Sequence, residues 1–451
     1  MVDRIDFEAQ LEARLQSRAA FASRPFDASE IAHKAIATGA RRRGFGWLTW
    51  PVARPSTAWL VIVLLLVIAL LGAITFAGAL LRQRSRPSGV SNGWIAYAIQ
   101  GGTRGTSGPS DIYLVGNGVD RRIIGSDGDK LRQVCPAFSP DGTRLAYSEG
   151  PDVPGVTPTA PSAVVIVTLG TDGLPVGPVV RFVAPSPGDV CPMWAPDGQS
   201  LAFFANPQDP QLWVARLDGT ETQVAASKAI KLDGFPGQFD WSPDGTAIVA
   251  VGYDSASLWI VPVGAGQARL LPRGGAPTSD RQSDQEEPKW SPDGTRIAVV
   301  QTTWADVSGG QGATGTSTDV YRADGSGSPV ELANDSSLGF SLAWSPNGKQ
   351  LAAVRVTQPL NGPGQYDIVT LAPDASDERV IVTDNASQGW IRGLTWSPDG
   401  MRLVYAQDDA GSGRLISVAA TGDPAPVALT RQPHDFEFTN SNNLSWQPVF
   451  P

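Results

Sequence analysis

With 451 residues, 41% of them hydrophobic and 18% charged, the chain is long enough to bury the core of one very large domain or of two to three ordinary ones. Glycine (49), proline (37) and tryptophan (14) are plentiful, a composition that favours short strands joined by tight turns over helices. Residues 1–57 hold nine Lys/Arg against six Asp/Glu, but residues 87–451 hold 23 against 38. An acidic domain of this size repels phosphate backbones, which argues against nucleic acid and leaves proteins, cations or small basic molecules as partners.

In chain order, residues 1–57 read as a short helical segment. Phe7, Leu11 and Leu15 recur at helical spacing among charges, and Asp27 to Glu30 has the form of a cap opening a helix through Ile36. The plain alternative is a loosely ordered tail. Residues 58–81, AWLVIVLLLVIALLGAITFAGALL, carry no charge, and at about 1.5 Å per residue this run exceeds a hydrocarbon core of about 30 Å. A cleaved signal peptide has an apolar stretch of only about 7–15 residues, so a single-pass transmembrane helix is expected. Arg41, Arg42, Arg43 and Arg54 precede the span and Arg82, Arg84 and Arg86 follow it. With the further basic residues upstream, the N-terminus is expected in the cytoplasm and residues 91–451 outside it, after a linker at 82–90.

From residue 91 onward one pattern repeats: an aromatic residue, Ser or Ala, Pro, Asp or Asn, Gly, then an apolar run. The copies are FSPDGTRLAYS from Phe138, WAPDGQSLAFF from Trp194, WSPDGTAIVAV from Trp241, WSPDGTRIAVV from Trp290, WSPNGKQLAAV from Trp344 and WSPDGMRLVYA from Trp396. Ser-Pro-Asp-Gly is turn chemistry, with Pro fixing φ, the acid bonding its own backbone and Gly accepting positive φ, so each copy joins two antiparallel strands. A third strand follows, as in DIYLV at Asp111, SLWIVPV at Ser257 and YDIVTL at Tyr366, and then a fourth, as in RRII at Arg121 and RVIV at Arg379. Four strands per unit is the propeller blade. NGWIAYAI from Asn92 lacks a first strand and NLSWQP from Asn443 supplies one. The expected fold is therefore an all-β, seven-bladed β-propeller whose chain ends share a blade.

These repeats resemble the TolB-type β-propeller family, WD40-like in architecture, over about residues 91–449. The family's hallmark is the same aromatic-Ser-Pro-Asp-Gly hairpin followed by an apolar strand and a DIY-like third strand. The resemblance implies a propeller that binds partners, although TolB itself resembles a six-bladed ring.

Asp141, Asp197, Asp244, Asp293, Asn347 and Asp399 occupy the same repeat position. Each has a local task in its turn, and Asn at one copy fits turn chemistry better than a carboxylate mechanism, so no metal or cofactor is assigned to them. Trp194, Trp241, Trp290, Trp344, Trp396 and Trp446 are also equivalent and are expected to pack between blades rather than to form a ligand platform. Trp304 and Trp390 fall outside the motif, in stretches that read as loops, and are candidates for recognition. Cys135 and Cys191 each stand three residues before the motif aromatic. In an oxidising compartment that alignment predicts a blade-to-blade disulfide, the alternative being two buried thiols.

Histidine is confined to His33 and His434, which leaves too few for the metal site of the lyases that resemble this family. The motif also differs from the sialidase Asp-box, and no GxSxG nucleophile elbow follows the propeller. The sequence therefore leads to the expectation of no enzymatic activity. What it favours is a membrane-anchored binding or scaffolding module for a protein, peptide or glycan outside the cytoplasm. The alternative is a transmembrane regulator with the layout of anti-sigma factors, its outer propeller sensing and residues 1–57 acting on a cytoplasmic protein.

Overall fold

The computed structural model describes residues 91–450 apart from 101–108, 126–129, 152–161, 184–189, 206–209, 225–226, 229, 233–237, 254–256, 273–281, 308–309, 333–336, 358–364, 385–388, 410–411, 424 and 431–443. The helical segment expected at 1–57, the span expected at 58–81 and the linker at 82–90 lie outside the described residues.

Each repeat folds as an antiparallel run of four strands. Phe239–Trp241 pairs with Ala247–Val251, that strand with Leu258–Pro262, and the latter with Arg269–Leu270. Four more four-stranded sheets are built on Met193–Trp194, Gln282–Trp290, Ser337–Trp344 and Gly389–Trp396. The remaining sheet has eight strands. In it Ser445–Val449, Ser91–Gln100 and Ser110–Gly116 continue into Leu131–Phe138, Arg144–Pro151, Ala163–Leu169 and Pro175–Val183, with Val119–Ile124 paired beside Ser110–Gly116.

This corrects the expected fold class. The described residues form an all-β, propeller-like fold in which no helix is long and apolar enough to cross a membrane. Among the described residues the strands group into six hydrogen-bonded sheets, which do not establish the expected number of seven blades. The physical reason for the lower number is a parallel pairing of Ser110 with Arg132, which joins the sheet carrying the chain's beginning to the one that follows it.

The first strands of the repeats touch one another in cyclic order. Leu131–Phe138 meets Met193–Trp194, followed by Phe239–Trp241, Gln282–Trp290, Ser337–Trp344, Gly389–Trp396 and Ser445–Val449, which returns to Leu131–Phe138. Closure rests on the two ends of the propeller chain, where Ile95 pairs with Trp446 and Ala96 with Ser445.

Between neighbouring sheets the second strands alternate faces. Ile248 and Ala250 pack with Phe204 and Leu212 of the preceding sheet, and Val249 and Val251 pack with Ile297 and Val299 of the next. A strand buried on both faces needs apolar residues at every position, which is why the motif ends in runs such as Ile248-Val249-Ala250-Val251.

The turns lock these strands. In the first copy the Asp141 Oδ1 accepts from Ser139 Oγ (2.6 Å), Thr143 N (3.0 Å) and Thr143 Oγ1 (2.8 Å), and the Gly142 amide donates to the Ser139 carbonyl (2.8 Å). Burial pushes the Asp141 carboxyl up, but the hydrogen bonds from Ser139, Thr143 and Arg144 outweigh it and hold the group at about 2. Gly142 takes φ 73°, and a Cβ there would lie 2.0 Å from the Pro448 carbonyl oxygen, so both conformation and closeness require glycine.

Indoles tie one sheet to the next. Nε1 of Trp194, Trp241, Trp344 and Trp396 donates to the carbonyls of Ala137 (3.0 Å), Met193 (3.2 Å), Lys289 (3.0 Å) and Ala343 (3.1 Å). Each acceptor is the residue just before the motif aromatic of the preceding sheet. Two junctions use that residue's side chain instead: Ser445 Oγ accepts from Phe138 N (2.9 Å) and Asp240 Oδ2 from Trp290 N (2.7 Å).

Two outcomes follow from these junctions. Trp396→Phe keeps the ring but strands the Ala343 carbonyl, and it should cost about 1–3 kcal/mol in denaturant unfolding. An unchanged midpoint would show that the indole is not a latch. Burial raises the Asp240 carboxyl to about 6 despite Lys289 and the Trp290 and Trp241 amides, all of which lower it. A folded-state value above the unfolded one means that the stabilisation is present below about pH 4 and lost as pH rises through about 6. Asp240→Asn should therefore gain stability over the parent progressively across that interval and hold a constant gain above it. A gain that does not vary with pH would refute the assignment.

Candidate functional site

The first strands do not run smoothly. Their pairing shifts register between Val134 and Ala137, Glu286 and Lys289, Leu338 and Leu342, and Arg392 and Thr395. Each shift is a bulge that contains the residue three places before the motif aromatic. At that place stand Cys135, Glu287, Ser341 and Gly393, and the same offset in the two remaining four-stranded sheets holds Cys191 and Gln238. Three of them take left-handed backbone: Cys135 (φ 56°), Glu287 (φ 53°) and Gly393 (φ 63°). For Cys135 and Glu287 this conformation costs about 1–3 kcal/mol, so their surroundings must hold it in place.

Neighbours in the cycle supply the restraint. Cys135 and Cys191 are joined by a disulfide, with Cα atoms 5.1 Å apart, and pack with Ala98 and Val134. The Glu287 amide donates to Gln238 Oε1 at 3.3 Å. Residues at this offset are thus brought side by side from sheet to sheet, and Cys135, Cys191, Glu287 and Ser341 are all buried. Two places before Cys135, Gln133 is 2% exposed, and its Oε1 accepts no hydrogen bond among the described residues. The bulges therefore gather an amide, a carboxylate and a hydroxyl onto restrained backbone within the first strands, three residues before the motif aromatic. Such a set can recognise a polar group by hydrogen bonding. Among the described residues no group of three or more His, Cys, Asp or Glu side chains could hold a metal ion.

The residues singled out from the sequence fall in other places. Oδ1 of Asp244, Asp293 and Asp399 accepts from the Ser two places before and from the amide two places after, as in the first turn. Asn347 does the same with Ser345 and Lys349, and Asp197 accepts from the Gln199 amide. Trp290 and Trp446, the equivalents of the latching indoles, have no hydrogen-bond partner for Nε1 among the described residues. Trp304 and Trp390 are not in loops: Trp304 lies in Arg296–Val307, paired with Gln282 and Ala313, and Trp390 in Gly389–Trp396, paired with Asp408. Of the bulge positions, sequence reasoning aligned only the two cysteines. The same offset pointed to Gln238, Glu287 and Ser341, but their residue types differ from copy to copy and leave no repeated signature.

Residues 163–435 match the model of the TolB beta propeller domain. A Protein TolB homolog of Chlorobium luteolum is 28% identical over 178 residues, which is 36% of this chain and 36% of that protein, so the match spans about a third of the relative's length. Among solved structures, a prolyl endopeptidase aligns with TM-score 0.50 at 14% identity, over 74% of this chain and 49% of its own. An oligogalacturonate lyase in complex with manganese aligns with TM-score 0.48 at 14% identity, over 79% of this chain and 88% of its own. At such identity the likeness shows the fold, and the activities are those proteins' own. The endopeptidase nevertheless corrects the expectation of no enzymatic activity, since a propeller of this fold occurs in an enzyme and the fold by itself excludes no catalysis. With more than half of the chain matched, it belongs to the TolB beta-propeller domain family.

Proposed function

We propose that the chain is a protein-binding scaffold, tethered by residues 58–81 with its propeller outside the cytoplasm. The observation that carries this reading is a division of labour within the repeats. Turn carboxylates and indoles are committed to backbone groups and build a frame, whereas the residues at the bulges, most of them buried, differ from sheet to sheet and give each first strand its own chemistry. The family match supports the same reading. The Cys135–Cys191 bond supports the extracytoplasmic placement, because such bonds persist in oxidising compartments.

Tyr253 is 67% exposed at the bulge end of its sheet, and Met401 is 66% exposed beside a Ser-Pro-Asp-Gly turn. With a photo-crosslinking residue placed at each position of the full-length protein in cells, position 253 should give a discrete protein adduct and position 401 none. Absence of adducts from both ends would remove the scaffold reading. Thiol labelling of intact cells before and after reduction tests the compartment. Cys135 and Cys191 should react only after reduction, and labelling of the untreated protein at both would place the propeller on the reducing side.

A further inference from the structure

One sheet is built unlike the others. Its second and third strands, Arg296–Val307 and Gly310–Arg322, have 12 and 13 residues, whereas Ala247–Val251 and Leu258–Pro262 of the preceding sheet have 5 each. Pairing continues without a break of direction from Arg296 opposite Arg322 to Val307 opposite Gly310, with one register shift at Thr303 and Trp304. The first strand follows, placing Gln282 opposite Trp304 and Asp284 opposite Thr302. At about 3.3 Å per residue, the excess length carries a three-stranded finger roughly 20 Å beyond the body of the sheet, at the end away from the Ser-Pro-Asp-Gly turns.

The finger has an open edge. The fourth strand, Val330–Glu331, pairs with Asp319 and Val320, and the Leu332 amide donates to the Thr318 carbonyl (2.8 Å), so among the described strands residues 310–317 pair on one side alone. Exposed edges are usually blunted by proline, lysine or a bulge. The outer strand Pro175–Val183 is blunted in this way, with Pro175, Pro178 and Gly177 at φ 73°. The stretch 310–317, GQGATGTS, has no proline and no lysine, and its one irregularity is the extra residue Thr314 between Ala313 and Gly315. Charge on the finger has one sign, since residues 282–286 and 300–318 include Asp284, Glu286 and Asp306 but no Lys or Arg.

Resting on the scaffold reading above, we propose that the finger is the docking element, and that its occupant is an extended, basic segment of a protein partner added as a further strand along residues 310–317. Backbone groups of the open edge supply the pairing, and the carboxylate positions select a cationic sequence. Trp304 stands at the bulge midway along the finger, where a register shift increases local twist.

The test uses the full-length protein and two labelled synthetic peptides of equal length, one alternating Lys with Thr and the other Glu with Thr, read by fluorescence anisotropy at low and high salt. The Lys peptide should bind, weaken as salt rises, and bind at least roughly tenfold more tightly than the Glu peptide. A variant in which Asn-Gly replaces residues 302–316, joining Gln301 to Ser317 at their existing pairing, should lose this binding while keeping the parent's unfolding midpoint. The triple variant Asp284→Asn, Glu286→Gln, Asp306→Asn should reduce the preference for Lys over Glu. The inference is overturned if the shortened variant binds the Lys peptide as the parent does, if both peptides bind alike, or if neither binds. If the shortened variant still gives the partner adduct from position 253, the finger is refuted and the scaffold reading survives. If the parent gives no adduct, it is the scaffold reading that fails.

Discussion

The pairing of Ile95 with Trp446 and of Ala96 with Ser445 brings together residues about 350 positions apart, and the rest of the fold depends on it. Each sheet otherwise touches only its neighbours, and an array of that kind has two terminal faces whose apolar side chains meet water. Closing the cycle covers both: Ile95 and Tyr97 pack with Val404, Ala406 and Leu415 of the last full repeat, and Trp94 and Ala96 pack with Phe138 and Leu145 of the first. Gln447 secures the seam by accepting from the Trp94 amide (3.0 Å) and donating to the Gly142 carbonyl (2.7 Å). Loop closure over so many residues is costly in entropy, so this contact is expected to form late, after the local hairpins have already restricted the chain.

Within the cycle, the repeats spend their polar groups on themselves. A buried Ser hydroxyl both donates to the turn acid and accepts an amide from the strand that follows, as at Ser291 with Asp293 (2.6 Å) and Arg296 (2.9 Å). Groups satisfied in this manner hold the hairpin ends rigid and leave few buried polar atoms unmatched. The same commitment occupies the equivalent acids, whose Oδ1 atoms serve their own turns, while Oδ2 of Asp399 also accepts from Asn92 Nδ2 (2.9 Å) across the seam.

Much of this was legible in the sequence because turn chemistry is local. Ser-Pro-Asp-Gly announces its conformation within four residues, and a strand buried on both faces announces itself as an unbroken apolar run. The shared strand was legible for a related reason, since Asn92 begins what Asn443 completes. The sheet count was not, because a single parallel pairing between Ser110 and Arg132, set by how two neighbouring sheets approach, decides where one sheet ends. The bulges were hidden because backbone can accept positive φ at Cys135, Glu287 or Gly393 for different local reasons, so no residue type marks the place. Trp304 read as a loop residue because Thr, Gly and Ser around it carry no apolar alternation. The register with Gln282 and Ala313 is a matter of tertiary pairing that composition does not encode.

Frame and surface are thus separable in this chain, and that separation has a mechanical consequence. Strain at a bulge persists only where the surroundings over-determine it. At Cys135 a covalent bond to the neighbouring sheet fixes the left-handed backbone, whereas at Glu287 a hydrogen bond from its amide to Gln238 does. Those restraints come from opposite kinds of chemistry but act at the same level of the cycle, each from one sheet to the adjacent one. The residues that differ between repeats are therefore held by contacts between sheets rather than within them. The geometry at the level of the bulges is consequently set by closure of the whole cycle, so that the contact between chain ends and the backbone held at Cys135 and Glu287 are one structural property.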